Sequence, residues 1–145
     1  VVIKNSEIED ALHFVNSSVT LSNVSISGSQ GDAIDADFCS LQIESLEIKN
    51  SDGDGLDISN SLAYIKDSFI SSCADKGLSI GENSKATVSN LTVDACNIGI
   101  AVKDMSSLEY KSIQLKDCFE DISSYIKKPF YGPPSYKEIS YLKLK

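Results

Sequence analysis

Two rows of mostly charged side chains recur at intervals of 22 residues, and they are the best candidates for chemistry in this sequence. The first row is Asp10, Asp32, Asp54 and Lys76. The second row is His13, Asp35, Asp57 and Ser79. Carboxylates that face one another on neighbouring strands repel by about 0.2–1 kcal/mol per directly opposed pair. Such rows therefore need a compensating charge, which Lys76, His13 or a bound cation could supply.

Three kinds of chemistry fit these rows, and the residues alone leave all three open. Paired carboxylates perform general acid–base catalysis on sugars, which makes Asp32, Asp54 and Lys76 candidate catalytic residues. Calcium takes six to eight oxygen ligands, and Asp32, Asp35, Asp54 and Asp57 are candidate ligands for it. The third possibility is an acidic, solvated face whose aspartates accept hydrogen bonds from turn amides.

The side chains of the second row are the candidate ligand-binding residues. His13, Asp35 and Asp57 belong to this group, and His13 is expected to pair with the stacked Asp35. No cofactor is required by any motif in the sequence, and calcium is the one that the aspartates make conceivable.

The elements that must position these rows follow from an apolar repeat of the same period. Its central column is Leu12, Ile34, Leu56, Leu78, Ile100 and Ile122. Each repeat carries three runs in which apolar and polar residues alternate, and this pattern predicts three short strands. A period in the twenties indicates a stacked solenoid, and parallel crossovers are almost always right-handed. We therefore predict an all-β, single-stranded, right-handed parallel β-helix of about six coils.

Two local features refine this prediction. One residue is inserted near Glu82 and Asn83, and one fewer lies between Val93 and Ile100, which suits turns. A column of small residues precedes the first five central apolar residues, and it indicates either a positive φ or a close approach between coils. This column is Ala11, Ala33, Gly55, Gly77 and Gly99.

The regular pattern ends before the prolines of the C-terminal part. Residues 1–126 are predicted to form the coils, and residues 127–145 are predicted to form a cap. Proline cannot donate to an interior ladder, and a stacked array needs its last core layer covered. The alternation of Ile139 and Tyr141, and of Leu142 and Leu144, suits such a covering segment.

Three of the four cysteines share one column of the repeat. Cys73, Cys96 and Cys118 follow Ser29 and Ser51 in it, whereas Cys39 lies in a different turn. We interpret the cysteines as small buried residues, although a single bridge between neighbouring coils is geometrically conceivable. A metal site at the cysteines is disfavoured because no CxxC pair or neighbouring histidine supplies further ligands.

Composition narrows the classes of partner. The net charge is −8, and all 13 basic residues are lysines, so the chain is a poor match for nucleic acid or an anionic membrane. No apolar run approaches the roughly 20 residues of a membrane span. Tyr64 and Phe69 point outward by the alternation and could stack on a sugar ring, which makes a polysaccharide a candidate partner, although scattered apolar surface residues are normal. The opening segment resembles residues 47–51, so we expect a piece of a longer protein with further covalently linked domains.

Several motifs give the chain a family resemblance. Gly-Asp-Ala-Ile-Asp at 31–35, Asp-Lys-Gly-Leu-Ser-Ile-Gly-Glu at 75–82 and Ile-Gly-Ile-Ala-Val-Lys-Asp at 98–104 are the segments that carry it. The chain resembles the pectate-lyase-like superfamily of right-handed parallel β-helices, and in particular modules of exported bacterial proteins. That resemblance implies an extracellular or cell-surface location and, for most such modules, no assigned activity.

A second resemblance is to polygalacturonases. Their motif Asn-Thr-Asp-Gly-Phe-Asp-Ile is similar to residues 52–58, which would put Asp54 at a catalytic carboxylate position. Their histidine motif is similar to residues 75–81, but Lys76 replaces the histidine and the chain has no arginine. The expected function is therefore a non-catalytic scaffold or glycan-binding module. The alternative is a polysaccharide lyase, hydrolase or uronan epimerase that uses the face of Asp32, Asp54 and Lys76.

Overall fold

A computed structural model describes residues 1–140, in which every regular element is a β-strand. The strands are β1 (Val2–Ser6), β2 (Asp10–Val15), β3 (Ser18–Ser29), β4 (Asp32–Asp37), β5 (Ser40–Ser51), β6 (Leu56–Ser59), β7 (Leu62–Cys73), β8 (Lys76–Gly81), β9 (Lys85–Asp94), β10 (Ile98–Lys103), β11 (Ser107–Lys116), β12 (Glu120–Tyr125) and β13 (Ser135–Glu138). Within this part of the chain, no helix is long and apolar enough to cross a bilayer.

The strands stack as two parallel sheets. Sheet A has the order β1-β3-β5-β7-β9-β11-β13, and sheet B has the order β12-β10-β8-β6-β4-β2. In sheet B, Ile34 pairs with Leu56 and Leu56 with Leu78, and all three side chains are fully buried. The all-β parallel solenoid with a period of about 22 residues and about six coils is therefore confirmed.

The prediction of three short strands per coil differs from the structure in one respect. The first two runs of each coil form one continuous strand, which bends at a single residue with positive φ. The bending residues in β3, β5, β7, β9 and β11 are Asn23, Ser45, Asp67, Asn90 and Ser112. One left-handed residue redirects the chain while the ladder continues on both sides of it, so a separate turn is unnecessary.

The other two corners of each coil are also left-handed. One corner column contains Asn5, Gly28, Asn50, Ser72, Ala95 and Asp117. The other contains Asn16, Phe38, Asn60, Glu82, Asn83, Asp104 and Met105. Asparagine and aspartate are common at these corners because their short polar side chains tolerate the left-handed region better than most residues. The predicted insertion lies in the second of these columns, where Glu82 and Asn83 both have positive φ.

The glycine column reflects close approach rather than positive φ. Gly28 is the only glycine with positive φ among residues 1–140, and it is not part of this column. A Cβ atom on Gly55 would lie 2.6 Å from the Gly77 carbonyl oxygen, and one on Gly77 would lie 2.3 Å from Val93 Cγ1. Backbone of the next coil and a core side chain therefore occupy the space that a side chain would need.

Two ladders of small side chains line the corners, and the cysteines belong to them. Ser29 Oγ donates to Ser51 Oγ over 2.9 Å, and further along the same column the Cys73 amide donates to the Cys96 sulfur over 3.4 Å. Cys39 is part of a second ladder, in which its amide donates to Ser61 Oγ over 2.9 Å. All four thiols are free in the structure, and three of them are buried, as expected for ladder residues.

The segment after Tyr125 continues sheet A by one strand. β13 pairs with β11, and the Met105 amide donates to the Gly132 carbonyl. The amides of Lys127 and Lys128 both donate to the Asp104 carboxylate. Residues 141–145, with the predicted alternation of Tyr141, Leu142 and Leu144, lie outside the described residues. The boundary between coils and cap at residue 127 stays a prediction.

The glycine column gives a stability prediction. Gly77→Ala should lower the free energy of unfolding by about 1–3 kcal/mol, because the new Cβ atom overlaps Val93 and the Gly99 carbonyl. Urea denaturation followed by circular dichroism measures this change. Ala33→Gly is the matched control in the same column, and it should cost only about 0.5–1 kcal/mol. Equal losses from the two variants would contradict the close-approach explanation.

Candidate functional site

The structure stacks the predicted site residues on one edge and the outward side of sheet B. Asp10 pairs with Asp32, and His13, Asp35, Asp57 and Ser79 follow one another in register. We call this surface the acid flank. It is defined by Asp10, His13, Asp32, Asp35, Asp37, Asp54, Asp57 and Lys76.

The first row of the acid flank is tied to the backbone of the coils. The Asp54 amide donates to Asp32 Oδ1 over 2.6 Å, and the Lys76 amide donates to Asp54 Oδ1 over 2.9 Å. Each of these carboxylates thus accepts the turn amide of the next coil. Accepting a hydrogen bond from a turn amide is the structural role that the sequence analysis left open for these aspartates.

Lys76 is held as a cation by its neighbours. Its ammonium lies 3.3 Å from Asp54 Oδ1 and also donates to Asp75. Burial lowers the pKa of Lys76, but the hydrogen bond to Asp75 and the charges of Asp54 and Asp75 outweigh burial and raise it above the ordinary value. A lysine that stays protonated cannot accept a proton near neutral pH. Lys76 is therefore poorly suited to be the base of a lyase.

Lys103 belongs to the same site, although the sequence analysis did not single it out. It lies on β10 with its side chain 6% exposed, and its ammonium is 3.9 Å from Asp57 Oδ1 on β6. The side chain reaches Asp57 by passing Gly81 on β8, where a Cβ atom would lie 3.1 Å from Lys103 Cε. The sequence signal for this contact was that Gly81 and Lys103 occupy the same position in neighbouring coils.

Lys103, Asp57 and Ser79 form a polar cradle next to the acid flank. Asp57 Oδ1 and Ser79 Oγ are buried and have no hydrogen-bond partner among residues 1–140. One cationic donor, one carboxylate acceptor and one hydroxyl therefore converge beside the outward face. A water molecule or a ligand hydroxyl would satisfy them.

Three aspartates of the acid flank, Asp32, Asp35 and Asp54, have raised pKa values, and burial is the largest cause in each. For Asp32 and Asp35, nearby carboxylates add to burial, so that the pKa of each of these two is about 6. The hydrogen bond with Asp37 raises the pKa of His13, whose Nε2 lies 3.3 Å from Asp37 Oδ2 and 3.4 Å from Asp35 Oδ2. The flank thus lowers its own charge by holding protons near neutral pH.

Two groups of side chains have the spacing of metal ligands. Asp32, Asp54 and Asp57 can bring carboxylate oxygens within 4.8 Å of one another, and so can Asp10 and Asp35 with His13 as the nitrogen ligand. The first group suits calcium in ligand type. However, Lys76 and Lys103 already place ammonium groups beside Asp54 and Asp57 and compensate part of their charge. Calcium binding at Asp32, Asp35, Asp54 and Asp57 stays a prediction.

The two aromatic residues that the sequence singled out lie apart from this surface, on sheet A. Phe69 and Tyr64 are both on β7 and partly exposed. The Lys49 ammonium lies 5.8 Å from the centroid of the Phe69 ring, so one face of that ring already has a cation–π partner.

Comparison with known proteins identifies the fold family. A family model described as "Right handed beta helix region" matches residues 2–127. A search of curated proteins gave no match. A search of solved structures gave none either.

The raised pKa values predict an unusual pH dependence of stability. Asp32 and Asp35 bind protons more tightly in the folded chain than in the unfolded chain, where their pKa is about 3.9. Stability should therefore rise as the pH falls from about 7 to about 4. His13 acts in the same direction, because its raised pKa gives stability that is lost as the pH rises. Thermal melting at pH 5 and pH 7.5 measures the difference.

The matched variants locate this effect. Asp32→Asn and Asp35→Asn should each flatten the pH profile, whereas Glu44→Gln on sheet A, whose side chain is 61% exposed, should leave it unchanged. A melting temperature that is lower at pH 5 in the natural chain would contradict the assignment.

The pairing of Lys103 with Asp57 predicts an energetic coupling. Asp57→Asn and Lys103→Met should each destabilise the fold by about 1–3 kcal/mol, because each removes one charge of a largely buried ion pair and leaves the other uncompensated. The double variant should cost less than the sum. The exposed pair Glu44 and Lys66 is the control, and its coupling should be much smaller because solvent screens an exposed ion pair. Urea denaturation of the single and double variants of both pairs measures the two couplings. Additive losses at Asp57 and Lys103 would refute the pairing.

Proposed function

The chain belongs to the family of right-handed beta helix regions, and from that premise we propose that it is a non-catalytic scaffold that binds a neutral polysaccharide on its acid flank. The observation that carries the proposal is that some residues of the acid flank are bonded to the coils, whereas others face outward. Asp32, Asp54 and Lys76 are occupied by the coils themselves. Asp35 and Asp37 face outward beside His13 and are only partly buried.

Outward carboxylates on a stiff parallel sheet suit sugar hydroxyls. An ionised carboxylate only accepts hydrogen bonds, and a sugar hydroxyl donates one. Hydrogen bonds to charged acceptors are about twice as strong as neutral ones. The spacing of the rows is set by strand pairing at about 4.8 Å, so the acceptors are positioned before a ligand arrives.

The charge of the molecule favours a neutral glycan over a polyuronate. The chain carries a formal charge of −8, and the flank concentrates aspartates on one surface. A polyuronate would add further carboxylates there and would need a bridging cation such as calcium. A neutral polysaccharide meets no such repulsion.

A non-catalytic role is supported by the state of the three residues that catalysis would need. Asp54 is 5% exposed, and its Oδ1 accepts hydrogen bonds from both the amide and the ammonium of Lys76. A substrate could reach this carboxylate only by displacing Lys76. Location outside the cell and linkage to further domains remain expectations from the family resemblance.

One observation favours the enzymatic alternative. The pKa values of Asp32 and Asp35, each about 6, lie where a general acid works best near neutral pH. A lyase, hydrolase or uronan epimerase on this face is therefore the second candidate. It predicts the release of unsaturated products or reducing ends, or epimerisation of a uronan, and the proposed scaffold predicts none of these.

Isothermal titration with neutral hexasaccharides of the cello-, xylo-, manno- and chito- series tests the proposal. At least one series should bind, and the double variant Asp35→Ala and Asp37→Ala should weaken that binding about tenfold or more through loss of charged acceptors. Glu44→Gln on sheet A is the matched control and should bind like the natural chain.

The same protein samples distinguish the proposed scaffold from the enzymatic alternative. Incubation with polygalacturonate and alginate, with and without calcium, should give no unsaturated product, no new reducing ends and no altered uronate composition. Product formation that depends on Asp32 or Asp54 would replace the scaffold with the enzyme. Failure of every neutral hexasaccharide to bind would overturn the proposal.

A further inference from the structure

Phe38 is an unusual residue type for the corner column that it shares with Asn16 and Asn60. Its φ is +55°, in the left-handed region, and its side chain is 61% exposed. The residues at the same position of the neighbouring coils are Asn16 and Asn60, which also have positive φ. A bulky aromatic residue is a conformational outlier there, whereas asparagine is the ordinary choice.

The fold gains little from this aromatic side chain. A mostly exposed ring buries little apolar surface, and no ring or cation contact of Phe38 exists among residues 1–140. Its amide donates to the Ser59 carbonyl over 3.0 Å, a bond that any residue except proline would make. A bulky residue in the left-handed region costs free energy, and residues of this kind cluster at active sites and ligand-binding sites.

Phe38 lies in a groove that follows the corner between sheet B and sheet A. The groove is shallow and open to solvent, with a volume of about 580 Å³. Its lining is rich in uncharged polar groups, among them Asn16, Asn60 and Asn83, and Lys85 is its one charged residue among those described. Amide and hydroxyl groups that flank an exposed ring provide hydrogen bonds around an apolar platform.

The groove is continuous with the acid flank. Asp37 precedes Phe38 directly, and its carboxylate lies 3.3 Å from His13 Nε2. The Asn16 amide donates to the Asp37 carbonyl over 2.9 Å, so the two surfaces share one stretch of backbone. A chain of sugars bound at Asp35 and Asp37 could therefore extend around the corner onto Phe38.

We propose that Phe38 is the stacking platform of a glycan subsite in this groove, where a neutral pyranose ring lies on the aromatic face between Asn16 and Asn60. The subsite rests on the proposed function, because it extends the same binding surface. The apolar C–H face of a sugar covers the ring, and the asparagine amides bind its hydroxyls. The side-chain nitrogen Nδ2 of Asn60 donates to the Glu82 carboxylate, which leaves the side-chain oxygen of Asn60 to accept from the ligand.

Phe38→Asn tests the proposal with an unusually clean variant. Asparagine matches the neighbouring coils and suits the left-handed corner, so the melting temperature should stay equal or rise. Affinity for the best-bound neutral hexasaccharide should fall on the order of tenfold, as expected for the loss of an aromatic stacking contact. Phe119→Asn is the control, because Phe119 is 91% exposed on a different corner, and its loss should leave affinity unchanged.

The outcomes separate the subsite from the proposed function. Unchanged affinity in Phe38→Asn, with loss of binding in the double variant of Asp35 and Asp37, overturns the subsite and keeps the acid flank. Loss in Phe38→Asn alone keeps the subsite and overturns the acid flank. A clear fall in melting temperature for Phe38→Asn would show that the ring serves the fold, and absence of binding in the natural chain overturns both proposals.

Discussion

Parallel stacking in register is the constraint on which the rest of this molecule depends. Each residue lies directly above and below its counterparts about 22 positions away, at the spacing of paired strands, about 4.8 Å. Identical or similar side chains therefore meet along every column. For Ile34, Leu56 and Leu78 this is favourable, because stacked aliphatic side chains exclude water from a continuous core. For aspartates the same geometry brings like charges together.

The acid flank solves this problem in three physical ways. Backbone amides donate to the carboxylates of Asp32 and Asp54, which turns repelling groups into caps for the next coil. Lys76 and Lys103 bring ammonium groups to Asp54 and Asp57. Partial burial raises the pKa of Asp35 to about 6, so that it carries less charge near neutral pH. The first two ways act on Asp32, Asp54 and Asp57, whereas Asp35 and Asp37 pair with His13 among the described residues.

The period of the sequence predicts the stack, the register of both sheets and the members of each column. It does so because the repeat places every residue by simple addition, without knowledge of distant contacts. The bend inside β5 could not be predicted from alternation, since the left-handed Ser45 leaves the apolar pattern intact on both sides. The contact of Lys103 with Asp57 had only an indirect signal in the sequence, the glycine one repeat before Lys103. It depends on a long side chain crossing an intervening strand, and only Gly81 leaves room for that path.

In a molecule of this kind, a departure from a column is more informative than the column itself. A column residue that repeats needs no explanation beyond stacking, whereas a departure must be compensated by something other than its counterparts. Lys76 ends the row of aspartates, Gly81 opens a path for Lys103, and Phe38 replaces asparagine at a left-handed corner. The first two departures are compensated within the fold by ion pairs with Asp54 and Asp57. Phe38 has no such compensation in the described residues, and it lies at the outer edge of the same flank. Lys76 and Lys103 are thus accounted for by the contacts that hold the coils together, and Phe38 is not, which is why we propose the ligand subsite at this edge.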